Sequence, residues 1–411
     1  MGQCDRGSHQ TPVKIGGAAS KPGRSICNLK SAICNAVCPV FDFDAPVAYS
    51  NHVNHLPCFC FPAVFAFAML IAGAAVPARA DDPPLTGTVT PRIREAADRG
   101  LAWLASHQND NGSWSCKIGY KLMENYLGKD GDHVGVTGLA GLALMGGGNL
   151  PNRGRYGKET AKALEFVLSC VRPEDGYITH QSSRMYEHAF ALLFLAEVMG
   201  TTPREDVKRA LKSSVNLLVR AQNPDGGWRY QPTPFDADLS VTVSTLQALR
   251  AARNVGVAVP KPTIARAERY VRECANGDGS FKYQMGSQQD TRTSFALTAC
   301  GVVSMYSLGD YHSKEVQQGV EWLAGARGRR MEPGWGEFHY FYGHYYSVQA
   351  FYLAGGAYWR NYWTRISEDI LAPNHQQADG HWDDDVGPAY ATAMACIILQ
   401  IPCEYLPIFQ K

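Results

Sequence analysis

The sequence predicts an all-α repeat fold of six helical hairpins, on three observations. First, one turn-like string occurs three times with little change: QNDNGSW at Gln108–Trp114, QNPDGGW at Gln222–Trp228 and QQADGHW at Gln376–Trp382. Second, looser copies fill the gaps: RPEDGYI at Arg172–Ile178, ANGDGSF at Ala275–Phe281 and RMEPGWGEF at Arg330–Phe338. With Trp114, Ile178, Trp228, Phe281, Trp335 and Trp382 as markers, the interval is roughly fifty residues, a period that signals a repeat architecture. Third, each copy stands between two helical segments of different character, one amphipathic and one apolar or small nearly all round.

The chain ahead of the repeats reads differently. Half of the twelve cysteines (Cys4, Cys27, Cys34, Cys38, Cys58 and Cys60) fall in the first eighty residues, with no zinc-like spacing and no regular hydrophobic period. Residues 1–58 are expected to be unstructured or to precede the true start codon. An apolar run from Phe59 to Val76 ends in Ala78-Arg79-Ala80 and an acidic, proline-rich break, so residues 59–80 have the form of a signal peptide cleaved after Ala80, or of a membrane anchor. The expected address is exported, periplasmic or membrane-associated. Residues 81–92 read as a linker and 93–411 as the repeat domain. With 39 basic against 38 acidic side chains, there is no electrostatic footprint for nucleic acid.

In the first hairpin, Ile93, Ala96, Ala97, Gly100, Leu101 and Leu104 recur at helical spacing, while Arg94, Glu95, Asp98 and Arg99 fill the opposite face. Such a helix covers a core and faces water on its back. The segments after the turns, Val134–Gly146, His188–Gly200, Ser240–Ala252, Ser294–Tyr306, Tyr345–Gly356 and Ala389–Gln400, are apolar or small on every side and should be buried all round. They are shorter than the roughly 20 residues that a membrane span needs. The later cysteines (Cys116, Cys170, Cys274, Cys300, Cys396, Cys403) read first as small buried residues.

A Gln-x-x-x-Gly-x-Trp turn after a helix, repeated in this way, resembles the QW motif of squalene and oxidosqualene cyclases. The wider pattern is similar to the prenyltransferase and squalene oxidase repeat shared with the β subunits of protein prenyltransferases, over about Pro91 to Lys411. The resemblance implies an (α/α)6 toroid with six inner helices parallel around a central cavity and six outer helices antiparallel to them. It also implies that the glutamine ties helix ends between neighbouring repeats. The glycine makes the tight corner and the aromatic packs against the adjoining hairpin, so the string itself is structural.

Parallel inner helices gather their N-terminal ends at one mouth. There the repeats carry Asp132 and His133; Tyr186, Glu187 and His188; Asp236 and Asp238; Asp290 and Arg292; Tyr342, His344 and Tyr345; and Asp384 and Asp385. One carboxylate per helix is what capping requires, so Asp238, Arg292 and His344 stand out as additional groups. The segment FDADLSVT resembles the Asp-x-Asp-Asp-Thr of squalene-hopene cyclases, whose middle aspartate protonates a double bond; Asp238 takes the middle place and Asp236 the first, while Leu239 and Ser240 depart from the pattern. His344 resembles the zinc-ligand histidine of the prenyltransferases, but Arg292 stands where their cysteine ligand would be, so no cofactor is expected. The catalytic set is thus Asp236, Asp238, His344, Asp290 and Arg292, the remaining mouth residues lining the pocket. Arg327, Arg329 and Arg330 are candidate phosphate contacts, and the aromatics from Tyr340 to Trp363 are candidate cation-stabilising faces. The expected function is an exported cyclase- or prenyltransferase-like protein acting on an apolar, isoprenoid-type molecule, with a membrane surface as a candidate partner. A non-catalytic binding or scaffold toroid and a carbohydrate- or peptide-processing αα-barrel are the alternatives.

Overall fold

The computed structural model describes residues 89–119, 127–286 and 292–410. The chain divides into two units, Met1–Ala75 and Val76–Lys411, and all described residues lie in the second. The expected N-terminal extension, the signal segment, the six early cysteines and Asp290 lie outside the described residues.

Each turn marker separates an outer helix from an inner one. The outer helices are α1 (Pro91–Ser106), α3 (Gly157–Ser169), α5 (Glu205–Ala221), α7 (Lys261–Glu273), α9 (Lys314–Ala324) and α12 (Gly356–Ile370). The inner helices are α2 (Val134–Gly146), α4 (Met185–Thr201), α6 (Leu239–Asn254), α8 (Phe295–Leu308), α11 (Tyr340–Ala354) and α13 (Pro388–Gln400). The inner helices contact one another in the order α2, α4, α6, α8, α11, α13 and back to α2, a closed ring. Every residue of α2 is buried. Its glycines let the neighbour approach: a Cβ at Gly135 or Gly138 would lie 2.8 Å from the Glu187 Cα or 2.9 Å from the Phe190 carbonyl of α4. Three features depart from the sequence reading. A two-stranded antiparallel ribbon, β1 (Ser115–Ile118) with β2 (Lys129–Asp132), precedes α2. Arg327, Arg329 and Arg330 form a short helix, α10 (Ala326–Arg330). Finally, α4 and α11 begin several residues early, which draws Tyr186, Glu187, His188, Tyr342 and His344 into their first two turns.

The turns fasten each hairpin to the next. In the three close copies the glutamine amide bonds back to the turn glycine and across to the following outer helix: Gln108 to Glu159 O (2.8 Å), Gln222 to Thr263 O (2.9 Å) and Gln376 to Ala96 O (2.9 Å). The last of these joins the sixth turn to α1 and closes the ring. The tryptophan indole N–H groups donate back to their own outer helices, at Leu104 O, Leu218 O and Ile370 O. A threonine of the inner helix accepts the backbone N–H of the marker residue: Thr137 for Trp114, Thr242 for Trp228, Thr298 for Phe281 and Thr392 for Trp382, at 3.1–3.2 Å. In the second repeat His188 takes that place, its Nδ1 accepting from Ile178 N at 3.0 Å. Burial drives His188 down to about 3 and keeps it a neutral acceptor. His188 is therefore a tie within its hairpin rather than a pocket residue.

Gly226 has φ +114°, and a Cβ there would sit 2.1 Å from Arg266 O of α7. Gly226→Val should lower unfolding stability by about 3 kcal/mol or more. Gly256, at φ +83° with nothing within 4 Å, should cost only about 1 kcal/mol when replaced by alanine. Urea midpoints measure both, and equal midpoints would show that the Gly226 contact constrains nothing. His188→Thr should exceed the near-isosteric His188→Val in stability by about 1–2 kcal/mol, the worth of the restored bond to Ile178.

Candidate active site at the barrel mouth

The third repeat builds the centre of the mouth. The Asp238 N–H donates to Trp228 O (3.0 Å) and the Leu239 N–H to Tyr283 O (2.8 Å), so the residues entering α6 are held by the turn before them and by the next hairpin. Asp238 is the N-cap of α6 and fully buried. Its Oδ1 accepts from Val241 N (2.9 Å) and Ser240 Oγ (2.5 Å). Its Oδ2 makes no hydrogen bond, with Arg229 Nε 3.6 Å away. Burial pushes the carboxyl up to about 6, against the opposing pull of Ser240, the Val241 amide, Arg229 and Tyr283. Asp238 is thus an acid that keeps its proton to weakly acidic pH, and with Oδ1 occupied twice the proton belongs on Oδ2.

Tyrosines surround this carboxyl. The Tyr186 hydroxyl donates to Ser240 Oγ, and the Tyr342 hydroxyl donates to Ser240 O (3.0 Å) with Cys300 Sγ 3.3 Å from it. The Tyr230 and Tyr283 hydroxyls lie 2.6 Å apart. The Tyr186 ring meets Tyr342 edge-on at 6.3 Å and Tyr230 at 6.1 Å. Burial, then the nearby Asp238, holds the Tyr186 hydroxyl well above its ordinary range, so it stays neutral. Arg292, at the exposed rim, lies 4.2 Å over the face of Tyr283.

The other expected site residues are distributed differently. Asp236 is half exposed, paired with Arg229 and accepting from Gln284 Nε2 (3.2 Å), so it anchors Arg229 and is not a second buried acid. Asp132 accepts from Asn109 (3.0 Å) and Asn111 (2.8 Å) and belongs to the first turn. His133 caps α2 through Nδ1, and its Nε2 stands 4.0 Å from Glu187, which itself accepts the Arg184 N–H at 2.9 Å. Burial lowers the His133 pKa. His344 has both nitrogens committed, Nε2 to Pro333 O (3.0 Å) and Nδ1 to the Tyr362 hydroxyl (2.7 Å). Burial drives it down to about 4. His344 therefore buttresses the fifth turn and has no free lone pair for a metal. Tyr345 lies deeper, its hydroxyl directed at Gln247 Oε1 (3.4 Å). Asp384 is raised by burial and accepts the Val386 N–H (2.8 Å), and Asp385 is exposed. Arg327 pairs with Asp278 on the outside of the ring.

Sequence reasoning missed Arg229, Tyr230 and Tyr283 as mouth residues. The available signal was the repeat register, because Tyr230 and Tyr283 each stand two positions after a turn marker, as Asp384 does after Trp382. Across the lumen, inner helices that are not neighbours in the ring already touch. Besides Tyr186 and Tyr342, Phe190 of α4 meets Tyr345 of α11 at 5.9 Å, and Gln247 of α6 bonds Gln349 of α11 at 2.5 Å.

Residues 158–344 match the family model of the prenyltransferase alpha-alpha toroid domain. No curated protein sequence matches the chain. Among solved structures, the type II terpene cyclase MstE from Scytonema, in complex with merosterolic acid A, is 14% identical, with 78% of this chain and 99% of that one covered at a TM-score of 0.51. Cellobiose 2-epimerase from Bacillus thermoamylovorans (12% identity, 75% and 98% covered, TM-score 0.53) and the GH76A alpha-1,6-mannanase from Salegentibacter (9%, 76% and 99%, 0.55) share the architecture. Such distant likenesses establish the fold alone. Over residues 158–344 the chain is thus similar to the prenyltransferase alpha-alpha toroid domain, and its fold is the one that these solved structures share.

Proposed function

We propose that the mouth receives the end of an apolar, isoprenoid-type molecule and that Asp238 protonates a double bond there. The observation that carries this reading is a fully buried carboxyl with one oxygen free of hydrogen bonds, set among Tyr186, Tyr230, Tyr283 and Tyr342. In the proposed step the alkene π pair takes the proton from Asp238 Oδ2, forming a C–H bond and leaving a carbocation and a carboxylate. Ring closure and loss of a proton complete an isomerisation in which no atoms are gained or lost. A carboxyl with a pKa near 6 is a weak acid for this task, so the carboxylate must be stabilised as the proton leaves. Ser240, the Val241 amide and Arg229 supply that stabilisation, and the tyrosine faces favour the cation. The relatedness in fold to MstE, which has been solved with geranylgeranyl dihydroxybenzoate, supports the choice of ligand class. The apolar run before Ala80 supports an exported address.

A binding or scaffold role without chemistry is the second reading, favoured by the side chains that already meet across the lumen. Mass spectrometry of an organic extract of the purified protein, followed by incubation with geranylgeraniol, separates the two. The acid reading expects conversion to an isomer of unchanged mass, with a loss of about 1,000-fold or more in Asp238→Asn. Undiminished conversion in Asp238→Asn would refute it, and a folded wild-type protein that neither retains nor converts an isoprenoid would favour the scaffold. Because the protonated form of Asp238 is the active one, conversion should be level below pH 6 and fall about tenfold per unit well above it.

A further inference from the structure

At the end of the barrel opposite the mouth, the inner helices are covered by the segment that follows α13, residues 401–410. After α13 the backbone makes two 3-10 turns, Ile401–Cys403 and Pro407–Phe409, which lie against α13, α11 and α6. Leu406, Ile408 and Phe409 point inward and are buried, while Glu404, Tyr405, Pro407 and Gln410 face out. The Phe409 ring meets Tyr345 of α11 edge-on at 6.2 Å, and the Ile408 backbone N–H faces the carboxyl of Glu197 on α4. Between the tail and the ends of α2 and α13 remains a void of about 10 Å³, room for at most one water.

What the tail covers is polar. Glu197 is only 3% exposed, and its Oε2 has no hydrogen-bond partner. Burial pushes this carboxyl up to about 8, so it is neutral and able both to accept and to donate. Gln247, Gln349 and Tyr345 complete a polar layer across the lumen above it. Glu197 lies about 18 Å along α4 from Met185 at 1.5 Å per residue, so this layer is remote from Asp238.

We propose that Glu404–Gln410 is a displaceable stopper, and that the floor beneath it is a second binding site taking the hydroxyl end of an elongated apolar molecule, with Glu197 as its hydrogen-bond partner. The tail already displays what the floor selects: one N–H donor, at Ile408, flanked by branched and aromatic side chains. A hydroxyl on an apolar chain offers the same donor and can also reach the unpaired Oε2. The tail can leave without disturbing the ring. Four of its seven side chains are exposed, the Gln410 amide bonds Glu404 O within the tail itself (2.7 Å), and the bond that Glu404 accepts from Tyr352 of α11 lies at its first residue.

The inference rests on the apolar-ligand reading of the mouth but not on its acid chemistry. The test uses the full chain with farnesol as probe. Carboxypeptidase trimming of the last residues, followed by intact-mass measurement, reports the tail, and equilibrium dialysis reports bound farnesol. Farnesol should accelerate trimming at least tenfold, in wild type and in Asp238→Asn alike. Phe409→Ala should bind farnesol at least fivefold more tightly, because the tail competes less, and Glu197→Leu at least fivefold more weakly. Farnesol that binds while trimming stays unchanged would overturn the stopper. Farnesol that binds neither wild type nor Phe409→Ala would overturn the floor site. A failure of the acid reading alone would appear only as unimpaired conversion in Asp238→Asn, with the trimming response intact.

Discussion

The ring depends on one repeated contact: a glycine at positive φ, set directly against the backbone of the next outer helix. It occurs at Gly112 on Lys162, Gly176 on Ser213, Gly226 on Arg266, Gly279 on Gln318 and Gly380 on Arg99, where an added Cβ would fall 2.1–2.7 Å from the facing backbone atoms. A side chain there would have to push a whole helix away, since a backbone cannot yield as a flexible side chain does. In a repeat protein each interface sets the position of the next unit. Displacement at one turn would therefore accumulate around the ring and prevent the sixth turn from reaching Arg99 and Ala96 of α1. The fifth turn lacks the contact, and there α10 and the bond from His344 to Pro333 take over the fastening.

The same turns write the site. The carbonyl of Trp228 holds the N–H of Asp238, as the carbonyl of Trp114 holds that of His133. At both positions the side chain caps the inner helix, and Ser294 does the same for α8. A cap needs one acceptor. Histidine and serine are spent by that task or face elsewhere, whereas a carboxyl has a second oxygen, and at Asp238 that oxygen is buried and unbonded. The chemical potential of the mouth is therefore a structural position carrying one more functional atom than its structural role uses.

The repeats, the burial of the inner helices and the place of Asp238 at the start of α6 were legible because each has a local signature: a periodic string, an apolar segment, a carboxylate just ahead of a helix. The roles of His188 and His344 were not. In sequence they are polar residues near helix starts, and only the fold reveals that one replaces a threonine and the other replaces a missing glycine contact. Asp236 was misjudged for a related reason, since its partners Arg229 and Gln284 come from the other side of a turn and from the following hairpin. The ribbon of β1 and β2 left no signal because KDGD and SCKI alternate too weakly to mark strands.

These constraints also decide where a ligand can gain space. The inner helices are fixed by backbone contacts at the turns and by close approach between neighbours, so the lumen cannot widen by small outward shifts of its wall. Inner helices that are not neighbours in the ring meet through Tyr186 and Tyr342, Phe190 and Tyr345, and Gln247 and Gln349. These are side-chain contacts, and rotamer changes are far cheaper than moving a helix. Room must therefore come from the lumen's own side chains and from its two ends. At the mouth the movable elements are the tyrosines and the arginines above them. At the far end the movable element is the short segment Glu404–Gln410, held by three inward side chains and the bond from Tyr352 to Glu404. A toroid with so rigid a wall admits a long molecule only where its ends give way, and both ends of this one are closed by parts that can move independently of the ring.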